Sequence, residues 1–271
     1  MRISCSHRTA GPGAAAGITE RLSAFSVFGL SPAAPAMAND IMRCEVNHMD
    51  LGLIREQITA AFLEGNDYER AEHDGYTDFK YPKLIPFMKF HVERYRVPGY
   101  GHLMTMHTKT AFGMELLTSS FMPGEKSVPY CLIDLMTVGK KRTVFVEYYE
   151  CGAKGMSMPH LDEVHGKYSH LTEYEEKPKW YVGERAPYSL IKCGGKDEEQ
   201  VLTDMVMSSV SAYRAQVQEA AGVTDTAGIR EFRERMINEG NPSSSVLEKV
   251  FGKEGAKDFF LKCVMPLDEK A

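Results

Sequence analysis

Asp134 stands in the run Tyr130-Cys-Leu-Ile-Asp-Leu-Met-Thr-Val138, where every neighbour favours a buried strand. An unpaired ionised carboxylate in such a strand costs several kcal/mol, so the group is partnered, protonated or facing a pocket. Upstream, Phe87-Met-Lys-Phe-His-Val-Glu-Arg-Tyr95 reads as a second strand whose alternation puts Lys89, His91 and Glu93 on one face. Were the two strands neighbours, a His, a Glu and an Asp would converge on one side of a sheet. That grouping suits proton transfer. A structural aspartate paired to an arginine on the next strand would give the same sequence.

The elements that must hold these groups follow from periodicity. A helical stripe of Ile54, Ile58, Ala61 and Phe62 predicts a helix from Asp50 to about Glu64, and Asn66 to Gly75 is a charged loop. Strand patterns follow near Tyr76–Tyr81, Phe87–Val97, Gly113–Phe121, Tyr130–Val138 and Thr143–Tyr149, the last two joined by the hairpin-like Gly139-Lys-Lys-Arg142. Short turns between successive strands imply an antiparallel sheet. Residues 152–180 are loop-like with a short helix from Leu161 to Tyr168, and Tyr188–Cys193 reads as one more strand. Beyond it Leu202, Met205, Val206, Ser209, Val210, Tyr213 and Val217 mark a helix, and Ile229–Ile237 continues the trend. Ser245 and Glu248 have capping-box spacing, Gly252 stops that helix, and Lys253–Val264 makes a final one. Residues 41–271 are one α/β domain.

At 271 residues, with 43% hydrophobic and 25% charged side chains, the chain has the composition of a globular protein. A net charge of -5 argues against nucleic acid as the main partner. Cys5, Cys44, Cys131, Cys151, Cys193 and Cys263 show no C-x-x-C or iron–sulfur spacing, so a reducing compartment and no metal centre are expected. Gly99-Tyr-Gly101 lacks the third glycine of a dinucleotide fingerprint, so no bound nicotinamide or flavin is supported. No apolar run has the length of a membrane span. Residues 1–40 are acid-poor and carry Arg2, Arg8 and Arg21, which resembles an organelle transit peptide and makes a plastid the expected destination; a disordered extension on a cytoplasmic protein, or a start chosen upstream of Met37 or Met42, is the alternative.

Taken in order, the stretches resemble the ferredoxin-dependent bilin reductases, which reduce linear tetrapyrroles such as biliverdin. The family's F-x-K-x-H-x-E strand is similar to Phe87-Met-Lys-Phe-His-Val-Glu93. Its F-P followed by L-P-x-F-G-x-D-[IL]-V resembles Met122-Pro123 and then Val128-Pro-Tyr-Cys-Leu-Ile-Asp-Leu-Met136. Its P-x-W, leading to a strand ending I-R-P, resembles Pro178-Lys-Trp180 and Leu190-Ile-Lys192. Its N-D-x-x-x-x-V-L-E-x-x-F-G resembles Gly240-Asn-Pro-Ser-Ser-Ser-Val-Leu-Glu-Lys-Val-Phe-Gly252.

The resemblance implies a three-layer α/β/α sandwich with a central antiparallel sheet flanked by helices. It also implies chemistry with no tightly bound cofactor: reduced ferredoxin delivers single electrons, and the protein donates protons to the bilin. Asp134 would be the proton donor, with Glu93 and His91 tuning the pocket. Lys192 and Arg185 would meet the bilin propionates. Lys83, Lys89, Arg94, Arg96, Lys177 and Lys179 would form a basic rim for an acidic ferredoxin. A downstream bilin reductase or bilin lyase is a further candidate partner. Two positions depart from the pattern. Thr118 replaces a family His or Asn and cannot titrate near neutral pH. Asn241 replaces an aspartate used by members that reduce the A-ring diene, which points to a two-electron reduction elsewhere or to a protein that binds bilin without reducing it.

Overall fold

The computed structural model describes residues 49–71 and 74–268, so the acid-poor N-terminal stretch lies outside the described residues. The first helix, α1 (Leu51–Leu63), starts where Asp50 accepts from the amides of Gly52 (2.9 Å) and Leu53 (3.1 Å), and buries Ile54, Ile58 and Phe62 as one stripe. The strands are β1 (Glu69–Arg70), β2 (Asp78–Tyr81), β3 (Met88–Val97), β4 (Gly101–Thr110), β5 (Glu115–Pro123), β6 (Tyr130–Val138), β7 (Lys141–Tyr149) and β8 (Leu190–Gly194). Among the described residues the further α-helices are α2 (Pro159–Tyr168), α3 (Glu199–Glu219), α4 (Thr226–Asn238) and α5 (Ser244–Phe259), the last continued by a π turn over Phe260–Val264.

The eight strands among the described residues form one antiparallel sheet in the order β1-β3-β4-β5-β6-β7-β8, with β2 also on β3. Alternation along the central strands divides the apolar side chains between two cores. Leu103, Leu117, Ile133 and Val146 pack with α1, α2 and α3. Met106, Leu116, Leu132 and Phe145 pack with α4 and α5. The molecule is therefore an α/β sandwich with helices on both faces of an antiparallel sheet, as the resemblance implies.

Strand β4 is absent from the periodicity reading. Its stretch Gly101-His-Leu-Met-Thr-Met-His-Thr-Lys-Thr110 is buried on both faces along Leu103–Thr108, so no alternation of polar and apolar residues marks it. Gly99 and Gly101 make the turn that starts it. Both have left-handed φ (78° and 135°), and a Cβ on Gly101 would lie 2.0 Å from the Met122 carbonyl oxygen. The pair thus serves the β3–β4 hairpin.

Two further expectations change. Arg142 is no part of a solvated hairpin tip but is 1% exposed: its Nε donates to Glu199 Oε1 (2.6 Å) and its Nη1 to the carbonyls of Gly139 (2.9 Å) and Lys141 (2.8 Å). This buried pair ties β7 to the first turn of α3. At the other end, α5 has Ser243 and not Ser245 as its N-cap residue, while Gly252 (φ 74°, ψ 172°) breaks the helical geometry between two segments at the expected stop.

Candidate active site

The register across the sheet fixes which residues share a row. Val92 opposes Met106, Met106 opposes Thr118, and Thr118 opposes Asp134. Asp134 therefore points to the α4/α5 face with Tyr130 and Leu132, whereas His91 and Glu93 point to the α1 face. The expected meeting of His91, Glu93 and Asp134 does not occur, because β4 and β5 intervene and the parity of β3 is opposite. His91 instead lies 2.9 Å from Asp78, and Glu93 is 2.6 Å from Arg70.

Lys192 is on the wrong face too. It opposes Val144 on the α1–α3 side, is 1% exposed, and its Nζ donates to the carbonyls of Ser169 (2.8 Å) and Leu171 (3.1 Å) and to the Glu173 carboxylate. Nothing there reaches Asp134. Arg185 is on the Asp134 side, but its guanidinium is held by Glu147 (2.5 Å) and by both carboxylate oxygens of Glu176. The basic rim divides as well: Arg94 and Arg96 pair with Asp74 (2.6 Å) and Asp268 (3.0 Å), apart from Lys83 and Lys89.

What does surround Asp134 is a small cavity of about 20 Å³ between the sheet and the second helical layer. That is room for one water molecule. Met106, Thr118 and Tyr130 line its sheet side, and Asn241, Leu247 and Phe260 its helical side. Two positions marked by the sequence, Thr118 and Asn241, thus do meet at Asp134. The Thr118 hydroxyl donates to Asp134 Oδ1. Asn241 spends its amide on the α4–α5 turn, donating to the Met236 carbonyl (3.1 Å) and accepting from the Ser243 amide (3.0 Å). Trp180, from the Pro178-Lys-Trp180 stretch, donates its indole N–H to the Gly240 carbonyl (2.8 Å) and so pins this turn over the cavity.

Electrostatics make the aspartate an acid. Burial pushes its pKa up to about 7, the Thr118 hydrogen bond and the Arg185 charge pull it down, and the Glu147 charge adds to the rise. Around neutral pH the group holds and releases a proton readily, which is what a general acid requires. Tyr130 is raised far beyond the ordinary phenol by burial and stays neutral.

Glu147 is the functional candidate that the sequence reading missed. It is 1% exposed on β7, faces the same side as Asp134, and accepts from Tyr149 (2.9 Å) and Arg185. Its signal was present: Thr143-Val-Phe-Val-Glu-Tyr-Tyr149 sets a carboxylate in an apolar strand just as the Asp134 run does.

No protein-family model matches the sequence, and no curated protein matches it. In structure the chain is similar to phytochromobilin synthase from tomato, solved in complex with biliverdin, with a TM-score of 0.62 at 15% identity over 78% of this chain and 80% of that one. At that identity the likeness establishes a shared fold, the antiparallel sheet between two helical layers that the register and the two cores describe.

Proposed function

We propose that the protein reduces a linear tetrapyrrole of the biliverdin type, taking electrons one at a time from reduced ferredoxin and passing a proton to the bound pigment from Asp134. Each two-electron reduction consumes two protons: the buried acid supplies the one taken up by the first radical, and solvent water supplies the second and reprotonates Asp134. One observation carries this reading: a fully buried carboxyl titrating at about 7 opens on the space between sheet and helices, in a fold whose solved relative holds biliverdin.

A ligand of tetrapyrrole size occupies roughly 300 Å³ or more, so the cavity of about 20 Å³ has to open. The covering segment has the means. Gly240 (φ 95°) and Gly252 (φ 74°) bracket the part of α5 above Asp134, and glycine at both can change its backbone angles without the steric cost other residues have. Displacing this segment exposes Asp134 without breaking the sheet.

Anaerobic incubation of the full chain with biliverdin and reduced ferredoxin tests the reading. A spectrum that moves to shorter wavelength as conjugation is lost supports reduction. A stable, unchanging complex identifies a carrier, and no binding removes the bilin altogether. Asp134→Asn should bind pigment and stall after one electron, leaving an organic radical visible by electron paramagnetic resonance. Normal turnover in that variant takes Asp134 out of the mechanism.

A further inference from the structure

Two loop tips at one end of the sheet carry apolar side chains that the fold does not bury. Leu84 and Ile85, between β2 and β3, are 96% and 83% exposed, and Phe112, between β4 and β5, is 80% exposed. The tips are fixed side by side: the Ala111 amide donates to the Phe87 carbonyl (2.8 Å), and the Phe87 and Phe112 rings lie 6.2 Å apart. Single exposed apolar groups are ordinary on any surface, but a held cluster of large ones marks a contact site.

Beside the tips the sheet bears a row of like charges. Lys80 opposes Lys89, and Lys89 opposes Lys109, in consecutive antiparallel pairs, while Lys83 precedes Leu84 in its loop. All these lysines are exposed. Like charges directly across a strand pair weaken a sheet, so the row costs stability that an external anion can return. Glu115 lies 3.7 Å from Lys109, whereas among the described residues no carboxylate is within ion-pair distance of Lys80, Lys83 or Lys89, and the nearby Asp78 is taken by His91.

We propose that this end of the molecule docks on an anionic phospholipid bilayer, with Leu84, Ile85 and Phe112 entering the headgroup region and Lys80, Lys83 and Lys89 facing the lipid phosphates. Apolar insertion and a basic patch are the two signals that together give stable peripheral attachment, and here they adjoin. A rigid acidic protein would be met by the lysine face alone, and protruding tips would hold it off. No helix among the described residues is long and apolar enough to cross a membrane.

Vesicle co-sedimentation of the full chain decides it, with phosphatidylcholine alone against phosphatidylcholine mixed with phosphatidylglycerol. The chain should pellet with the anionic vesicles and not the neutral ones, and added salt should release it. Replacing Lys80, Lys83 and Lys89 together by Gln should weaken binding roughly a hundredfold. Leu84→Ser, Ile85→Ser and Phe112→Ser should each weaken it about tenfold. These side chains are exposed, so circular dichroism should be unchanged in every variant. Phe112→Trp should shift its emission to the blue on anionic vesicles. Absence of binding to anionic vesicles overturns the proposal and leaves the lysines to an acidic protein, and full binding by the serine variants overturns the insertion of the apolar tips.

Discussion

Thr118 and Asp134 oppose each other across the β5–β6 pair, and the threonine hydroxyl donates to the aspartate in a buried setting. That bond favours the ionised carboxyl, while burial favours the neutral one and wins, leaving the group at about 7. Thr118→Val keeps the side-chain shape and removes the donor. The Asp134 midpoint should then rise, as read from its carboxyl stretch in an infrared titration. An unmoved midpoint would show that the hydroxyl is not what steadies the charge.

Stability should carry the same signature. Asp134 titrates at about 7 in the folded chain against an ordinary 3.8, so between those values the folded state holds a proton that the unfolded chain has released. Stability therefore falls as pH rises through that window and is lowest above it, by a few kcal/mol. Glu147, also raised by burial, adds in the same direction. Asp134→Asn removes the aspartate's share. Its denaturation midpoint should fall less steeply than that of the parent between these pH values, and parallel curves would place the titration elsewhere.

Much of this was legible in the sequence. The stripe from Leu202 to Val217 is buried as its spacing predicts, and the Tyr130–Val138 strand has the bounds read for it. Failures concentrate where burial erases pattern. Because Leu103–Thr108 is covered on both faces, no alternation reveals β4, and the convergence of His91 and Glu93 on Asp134, which requires β3 beside β6, fails because β4 and β5 stand between them. The helical layer that His91 and Glu93 face follows from the register through β4 and β5, which periodicity alone does not give. Lys192 failed for a related reason: a cation at a strand end is solvated in most sheets, but this one is swallowed by the carbonyls after α2. Asp134 was legible because an acid in an apolar strand is costly wherever the neighbouring strands lie, and the same logic finds Glu147.

Glu147 should act on Asp134 through space. Its charge raises the aspartate's pKa, and it shares the Arg185 guanidinium with Glu176. Glu147→Gln keeps an acceptor for Tyr149 but removes the charge, so the Asp134 midpoint should fall toward the ordinary carboxylate range. Arg185 meanwhile loses one of its two anions, and opening a buried pair of this kind costs about 3 kcal/mol. Infrared titration and urea unfolding read the two effects separately. A destabilised variant with an unchanged Asp134 midpoint would make Glu147 structural only.

Asn241 is an amide because the turn needs a donor as well as an acceptor. Its Nδ2 reaches the Met236 carbonyl (3.1 Å) while its Oδ1 takes the Ser243 amide (3.0 Å), and a carboxylate can do only the second. Asn241→Asp should therefore cost about 1 kcal/mol in thermal unfolding, through the lost donor and an oxygen turned against a carbonyl. It also brings a second negative charge to the cavity that Asp134 lines, so the Asp134 midpoint should rise. If bilin reduction is the activity, an acid at this position restores the group that the resembled enzymes use on the A ring, and the product should change in its absorption maximum and chromatographic mobility. A variant that loses the stability but leaves both the Asp134 midpoint and the product unaltered would confine residue 241 to holding the turn.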